Sequence, residues 1–133
     1  MKHLDRFKAR GRNRAGIWYE GHLTILTKDT WEQFKGCYIS NSAGMPFAYK
    51  VEEKTLGLFT GFDDKVGVSI FEDDIIHDTW LGDYYVVDEM TVAGWLIDED
   101  KMNQPMKHTK VAGNIHDNPH LIADKRKERL NRG

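Results

Sequence analysis

The chain has 133 residues, 40% hydrophobic and 30% charged, with 19 Lys and Arg against 21 Asp and Glu; this is the size of one domain and the balance of an ordinary soluble one. A sole cysteine, Cys37, excludes an internal disulfide and a thiolate zinc cluster, and suits a reducing compartment. No apolar run approaches the roughly 20 residues of a membrane helix, and no apolar segment follows the basic N-terminal residues as in a secretory signal, so a cytoplasmic protein is expected. The net charge of −2 is unevenly spread, with six basic residues and one acid in residues 1–14, five basic and two acidic in residues 124–133, and an acidic middle. Such segregation marks either basic arms for nucleic acid or ends that pair with an acidic body.

In chain order, residues 4–10 alternate so that a strand would turn Phe7 and Ala9 inward and a row with Arg6, Lys8 and Arg10 outward, with Gly11 and Asn13 ending it. A Lys/Arg row is a common guard on an exposed sheet edge. Residues 17–26 are aromatic and β-branched, with a bulge or a bend expected at Gly21, and predict either one long, bent strand or a strand pair. In residues 27–36, Asp29 and Glu32 fit a capping box and Gly36 a terminator, which predicts one helical turn. Strands are expected at 37–40 and 47–51, antiparallel across a Gly/Pro loop at 41–46. A polar link at 52–55 leads into residues 58–76.

There Asp64-Lys65-Val66-Gly67 fits a type I turn closed by a positive-φ glycine. A strand at 68–71, a turn at 72–73 and a new strand from Asp74 follow. Further strands are expected at 84–87 and 92–97, a succession that predicts the meander of a small SH3-like barrel. Residues 101–110 read as a loop and 110–115 as a last strand, and from Pro119 the tail reads as a short helix or, beyond residue 124, as disordered. The whole is expected to be one domain over 1–133, mainly β, with short antiparallel strands and one or two short helices.

The aromatic-Thr-Gly opening at Phe59-Thr60-Gly61, the Gly67 turn and Ile70-Phe71-Glu72-Asp73-Asp74-Ile75-Ile76 resemble the YopX family of bacteriophage and prophage proteins. Arg6-Phe7-Lys8-Ala9-Arg10-Gly11 with Ile17-Trp18-Tyr19-Glu20-Gly21 is similar to the family's opening, and Gly113-Asn114-Ile115-His116-Asp117-Asn118-Pro119 with Leu121 to its close. The sequence departs from the pattern at Val66, where Asn is usual, at Asp73, where Gly is usual, and at His120, where an acid is usual. The resemblance implies a compact, β-rich, phage-encoded fold, and it brings no catalytic residues to carry over.

The carboxylates Asp63, Asp64, Glu72, Asp73, Asp74 and Asp78 are oxygen ligands of the kind Mg²⁺ or Ca²⁺ takes, but they sit in turns where Asp serves the backbone and lack any calcium-loop spacing. His116 and His120 are spaced for a helical metal pair, which Pro119 between them spoils. No Gly-rich nucleotide loop and no nucleophile elbow is present, so no cofactor and no catalytic centre are expected. Cys37, within a strand, reads as a small buried hydrophobe. Trp31 and Trp80 fall in loops and are candidate interface anchors or base-stacking platforms. The favoured expectation is a non-catalytic binding or regulatory module that self-associates or meets a phage or host protein, away from any membrane. The alternative is a nucleic-acid-binding module using Arg6, Lys8, Arg10, Arg12, Arg14, Lys125, Arg126 and Lys127.

Overall fold

The computed structural model describes residues 8–41, 47–97 and 104–122. Among these, 44% lie in strands and 18% in helices, so the chain is mainly β. It divides into two compact units, Met1–Phe59 and Thr60–Gly133. The expected strand start at 4–7, part of the loop at 41–46, the polar stretch at 98–103 and the tail at 124–133 lie outside the described residues.

In the first unit, β1 (Lys8–Arg12), β2 (Trp18–Leu26), β3 (Gly36–Ser40), β4 (Tyr49–Val51) and the start of β5 (Gly57–Asp63) lie side by side in the order β4-β3-β2-β1-β5, antiparallel throughout. Ala9, Cys37, Ile39 and Val51 form its core, with Tyr19, Leu23 and Leu56 packed against them. The alternation that turns Ala9 inward is therefore real, but β1 is not an edge: β2 pairs along one side of it, and Leu58 and Gly57 pair with Ala9 and Arg10 along the other. Gly11 does not end the strand either. It faces the core, where a Cβ would lie 2.6 Å from Val51 Cγ2, so the residue is small because β4 and β1 approach closely. A 3₁₀ turn, Glu53–Thr55, ties the end of β1 down, with the Thr55 hydroxyl accepting the Arg12 N–H (2.9 Å) and donating to the Glu52 carbonyl (2.6 Å).

In the second unit β5 continues beside β6 (Ser69–Phe71), and β7 (Asp74–Asp78) is flanked by β8 (Tyr84–Val86) and β9 (Thr109–Asn114) in an antiparallel sheet ordered β8-β7-β9. Ile70, Ile76, Val87 and Trp95 are its core, with Phe62 edge-on to Trp95 at 5.4 Å. The turn between β5 and β6 forms as the sequence predicts. Asp64 N–H donates to the Val68 carbonyl (2.8 Å), Gly67 N–H donates to the Asp64 carbonyl (3.0 Å), and Gly67 has φ +88°. Between β6 and β7 the chain turns at Asp73, with φ +72°.

Three local expectations are corrected. Residues 92–97 are not a strand but most of α1 (Glu89–Ile97), because Asp88 caps it: its carboxylate accepts the Thr91 N–H (2.8 Å) and hydroxyl (2.9 Å). The meander therefore stops at β8. Residues 105–108, read as loop, form the short helix α2 (Pro105–His108), started by proline at its first position. The helical turn expected at 27–36 is an irregular loop. No helix among the described residues is long and apolar enough to cross a membrane.

Candidate interaction surfaces

The basic row of β1 is the first candidate. Register sets Lys8, Arg10 and Arg12 opposite His22, Glu20 and Trp18 of β2, on the face away from the core. All three are half-buried, because their cationic ends rest on rings: Arg10 and Arg12 at 4.8 and 5.7 Å from the Trp18 centroid, Lys8 at 4.5 Å from Phe59. Such contacts are worth about 0.5–2 kcal/mol each, rising as the pair is desolvated, so these charges already have work within the fold. Arg14 stands apart, exposed at the tip of the β1–β2 turn. It lines an open cleft of about 880 Å³ with Asn13, Lys50, Glu52, Glu53 and Lys54, where carboxylates offset the cations. Arg6, Lys125, Arg126 and Lys127 lie outside the described residues.

Trp31 lies on the loop between β2 and β3 with 93% of its surface exposed. The loop is nevertheless held in one shape. Thr30 and Gln33 exchange backbone and side-chain bonds, Gln33 N–H donating to the Thr30 hydroxyl (3.0 Å) and Thr30 N–H to the Gln33 carbonyl (2.8 Å). The Asp29 carboxylate accepts the Lys35 N–H (2.7 Å), six residues on, where the helical cap was expected, and the Tyr38 hydroxyl donates to the Phe34 carbonyl (2.6 Å). Phe34 is exposed beside Trp31, with Lys50 Nζ 5.9 Å from its ring. Sequence reasoning missed Phe34, although an aromatic three residues from Trp31 in an otherwise polar loop was the available signal.

Trp80, in the second unit, is 58% exposed and Leu81 beside it is more so. One face of the indole is stacked on His108 at 4.5 Å, which positions the other. His108 is buried, with Nε2 3.7 Å from Asp78 Oδ2, and the Thr79 N–H and hydroxyl both donate to its carbonyl (2.7 and 2.8 Å). Asp78 Oδ1 in turn accepts the Trp80 and Leu81 N–H groups (2.8 and 3.0 Å). Burial, with the nearby Asp78 charge second, pushes the Tyr85 hydroxyl up to about 12. Nothing in the sequence around His108 marked it as the support of Trp80.

Of the turn carboxylates, Asp64, Asp74 and Asp78 accept backbone N–H groups. Asp64 Oδ1 accepts the N–H groups of Val66 and Val68 (2.9 Å each), and its Oδ2 that of Val111 on β9 (3.0 Å). Asp74 accepts the Phe71 N–H (2.8 Å), and Asp73 lies 3.3 Å from His116 Nε2. Among the described residues no three His, Cys, Asp or Glu side chains are grouped to hold a metal. Burial, and secondarily Glu53, raises the Cys37 thiol above its ordinary value, which disfavours the thiolate.

Two comparisons bear on this architecture. No curated protein matches the chain. The family model described as YopX protein matches residues 7–123, from the start of β1 through the turn after β9, and so covers both units. With the Gly67 turn, the positive-φ residue at 73 and the closing segment all in place, the chain belongs to the YopX protein family.

Proposed function

We propose that this YopX family member is a non-catalytic, phage- or prophage-encoded binding module that works through protein contacts in the bacterial cytoplasm and self-associates. The observation that carries this reading is Trp31, a nearly fully exposed tryptophan on a loop fixed by its own hydrogen bonds. An aromatic anchor presented on an ordered loop has little conformational entropy left to lose on binding, and such anchors dominate interface energies. The buried thiol and the carboxylates engaged with backbone N–H groups support the absence of catalysis. Sedimentation equilibrium over a wide micromolar range tests the proposal. A species larger than monomer is expected, shifting toward monomer in Trp31→Ala and, to a smaller degree, in Trp80→Ala. A monomer at every concentration removes self-association and leaves a phage or host protein as the partner.

A nucleic-acid role is the second reading, favoured by one observation: Lys8, Arg10 and Arg12 share a face with Trp18 and Phe59. It ranks lower because those charges rest on rings and the middle of the chain is acidic. Three phosphate contacts would give a slope of log affinity against log salt of about −2.7. Titration of labelled duplex and single strand at two salt concentrations should show binding no tighter than about 10⁻⁶ M at physiological salt. Submicromolar, salt-steep binding lost on replacing these three residues would reverse the order.

A further inference from the structure

Buried polar atoms ordinarily find a hydrogen-bond partner, and an exception asks for a reason. His108 is such an exception among the described residues. It is 9% exposed, and its Nδ1 is buried without a partner. Its Nε2 faces Asp78 Oδ2 at 3.7 Å, which is too long for a hydrogen bond. The main chain around the ring is nevertheless fixed. The Thr79 N–H and hydroxyl donate to the His108 carbonyl (2.7 and 2.8 Å), and the Thr109 hydroxyl, one residue on, donates to the Pro105 carbonyl (2.6 Å). Asp78 is fixed as well, because its Oδ1 accepts the Trp80 and Leu81 N–H groups (2.8 and 3.0 Å) and so leaves Oδ2 toward His108. A response to protonation therefore falls to the imidazole and to the indole stacked on it.

Histidine is the side chain that ordinarily changes charge between about pH 5 and 8, a range in which carboxylates ordinarily keep theirs. Among the described residues, Asp78 at the end of β7 is the charged group against this ring. Lys107 and Lys110 flank His108 in the chain, and Lys65 reaches the start of β9 from the β5–β6 turn, its N–H donating to the Thr109 carbonyl (2.9 Å); all three are exposed, where water screens them. Asp83, whose carbonyl accepts the Asp78 N–H (2.8 Å), is exposed too. His77 precedes Asp78 on β7, on the opposite face of the strand, and is stacked on Tyr84 at 4.7 Å. Tyr85, which also feels the Asp78 charge, keeps its proton throughout this range. Trp80 covers one face of the His108 ring, with centroids 4.5 Å apart and planes at 21°. A proton gained by His108 thus meets attraction on two sides, from the carboxylate at its edge, near enough to shorten to a charge-assisted bond, and from the indole face. Burial and the unmatched Nδ1 act against the charge, but Nδ1 lacks a partner in either state. We infer that His108 is a pH-sensitive latch on Trp80: the protonated ring is drawn onto Asp78 and holds the indole flat against it, and the neutral ring leaves the indole free to move. The latch sets how rigidly Trp80 presents its other face, and it stands whether or not that face meets a partner.

Fluorine NMR of the full chain labelled with 5-fluorotryptophan gives one line for each of its four tryptophans, and the line missing from Trp80→Phe is that of Trp80. That line should move along a single-proton curve between about pH 5 and 8. In His108→Gln, which keeps a polar side chain that does not titrate there, the line should stay flat. Asp78→Asn keeps an oxygen for the Trp80 and Leu81 amides and removes the charge, so the midpoint of the curve should fall by about one pH unit. Acrylamide quenching of the emission that Trp80→Phe lacks should be weaker at the acid end of the curve than at the alkaline end. If His108→Gln unfolds, seen as collapse of the other three lines, the fall of the Asp78→Asn midpoint decides. The inference is overturned by a flat Trp80 line in the natural chain, by a curve that survives in His108→Gln, by an Asp78→Asn midpoint that holds or rises, or by quenching that is equal or stronger in acid.

Discussion

Asp64 offers the sharpest test of how this fold is held. It is 3% exposed, and its two oxygens accept three backbone N–H groups: Val66 and Val68, which shape the β5–β6 turn, and Val111, which belongs to β9 forty-seven residues on. Hydrogen bonds to a charged group are worth about 1.5–3 kcal/mol, and a buried donor left unmatched costs about 1–3 kcal/mol. Asp64→Ala removes all three acceptors. The two turn amides can reach water more readily than the strand amide, so a loss of about 3–5 kcal/mol is expected. Asp64→Asn separates the contributions. Its amide oxygen can still serve Val66 and Val68, but its NH₂ then points at the Val111 N–H, donor against donor, for a loss of about 2 kcal/mol. Urea denaturation read from the midpoint, with the slope checked for constancy, measures both. The reasoning fails if Asn and Ala are equal, or if either lies within about 0.5 kcal/mol of the natural chain.

Asp73→Gly relieves a positive φ of 72° on a non-glycine residue and gives up a partly exposed contact with His116 at 3.3 Å; the urea midpoint should hold or rise, by up to about 1 kcal/mol, and a clear fall would refute the turn geometry as the controlling factor. Asp88→Ala removes the cap of α1 and should cost about 1 kcal/mol at neutral pH. Because the Thr91 N–H and hydroxyl hold the Asp88 carboxyl below its ordinary value, that stabilisation is present above the unfolded carboxylate pKa and is lost as pH falls through the folded one, so the gap between variant and natural chain should close in acid. Tyr85, with its hydroxyl pushed up to about 12, keeps its proton in the fold where the unfolded chain would ionise near 10, so its stabilisation is complete below about pH 10 and is lost as pH rises toward 12. Absorbance titration should show a late tyrosinate component that is missing in Tyr85→Phe.

What could be read before the structure was the chemistry of turns. Gly67 announces itself because few residues accept positive φ, and the Gly usual at position 73 in the resemblance implies the same of Asp73; both have it here. The strand pair β3–β4, close in sequence, was equally legible, as was the placing of Trp31 and Trp80 in loops. The helix α1 was not, since apolar residues on both of its faces erase the 3.6-residue period and leave a run that passes for a strand. Residues 27–36 carry a plausible capping box, but Asp29 satisfies the Lys35 N–H instead of the start of a helix, a choice made by loop closure onto β3. On the candidate surfaces, the exposed tryptophans could be named, whereas His108 beneath Trp80 and the rings beneath the β1 cations are products of packing between distant segments.

The place of β1 inside its sheet has a consequence for how the chain is made. Its β2 partner follows at once through a tight turn, but Gly57 and Leu58, which cover its other side, come off the ribosome only after more than forty further residues. At about 5–20 residues per second that is an interval of several seconds in which β1 is an uncovered strand on a nascent chain. An uncovered strand of alternating pattern is a template for pairing with other chains, and the side chains that best discourage it are long cations. Lys8, Arg10 and Arg12 are side chains of that kind on a strand whose second side stays open until β5 arrives; Arg10 and Arg12 can rest on Trp18 as soon as β2 forms, whereas Lys8 meets Phe59 only with β5.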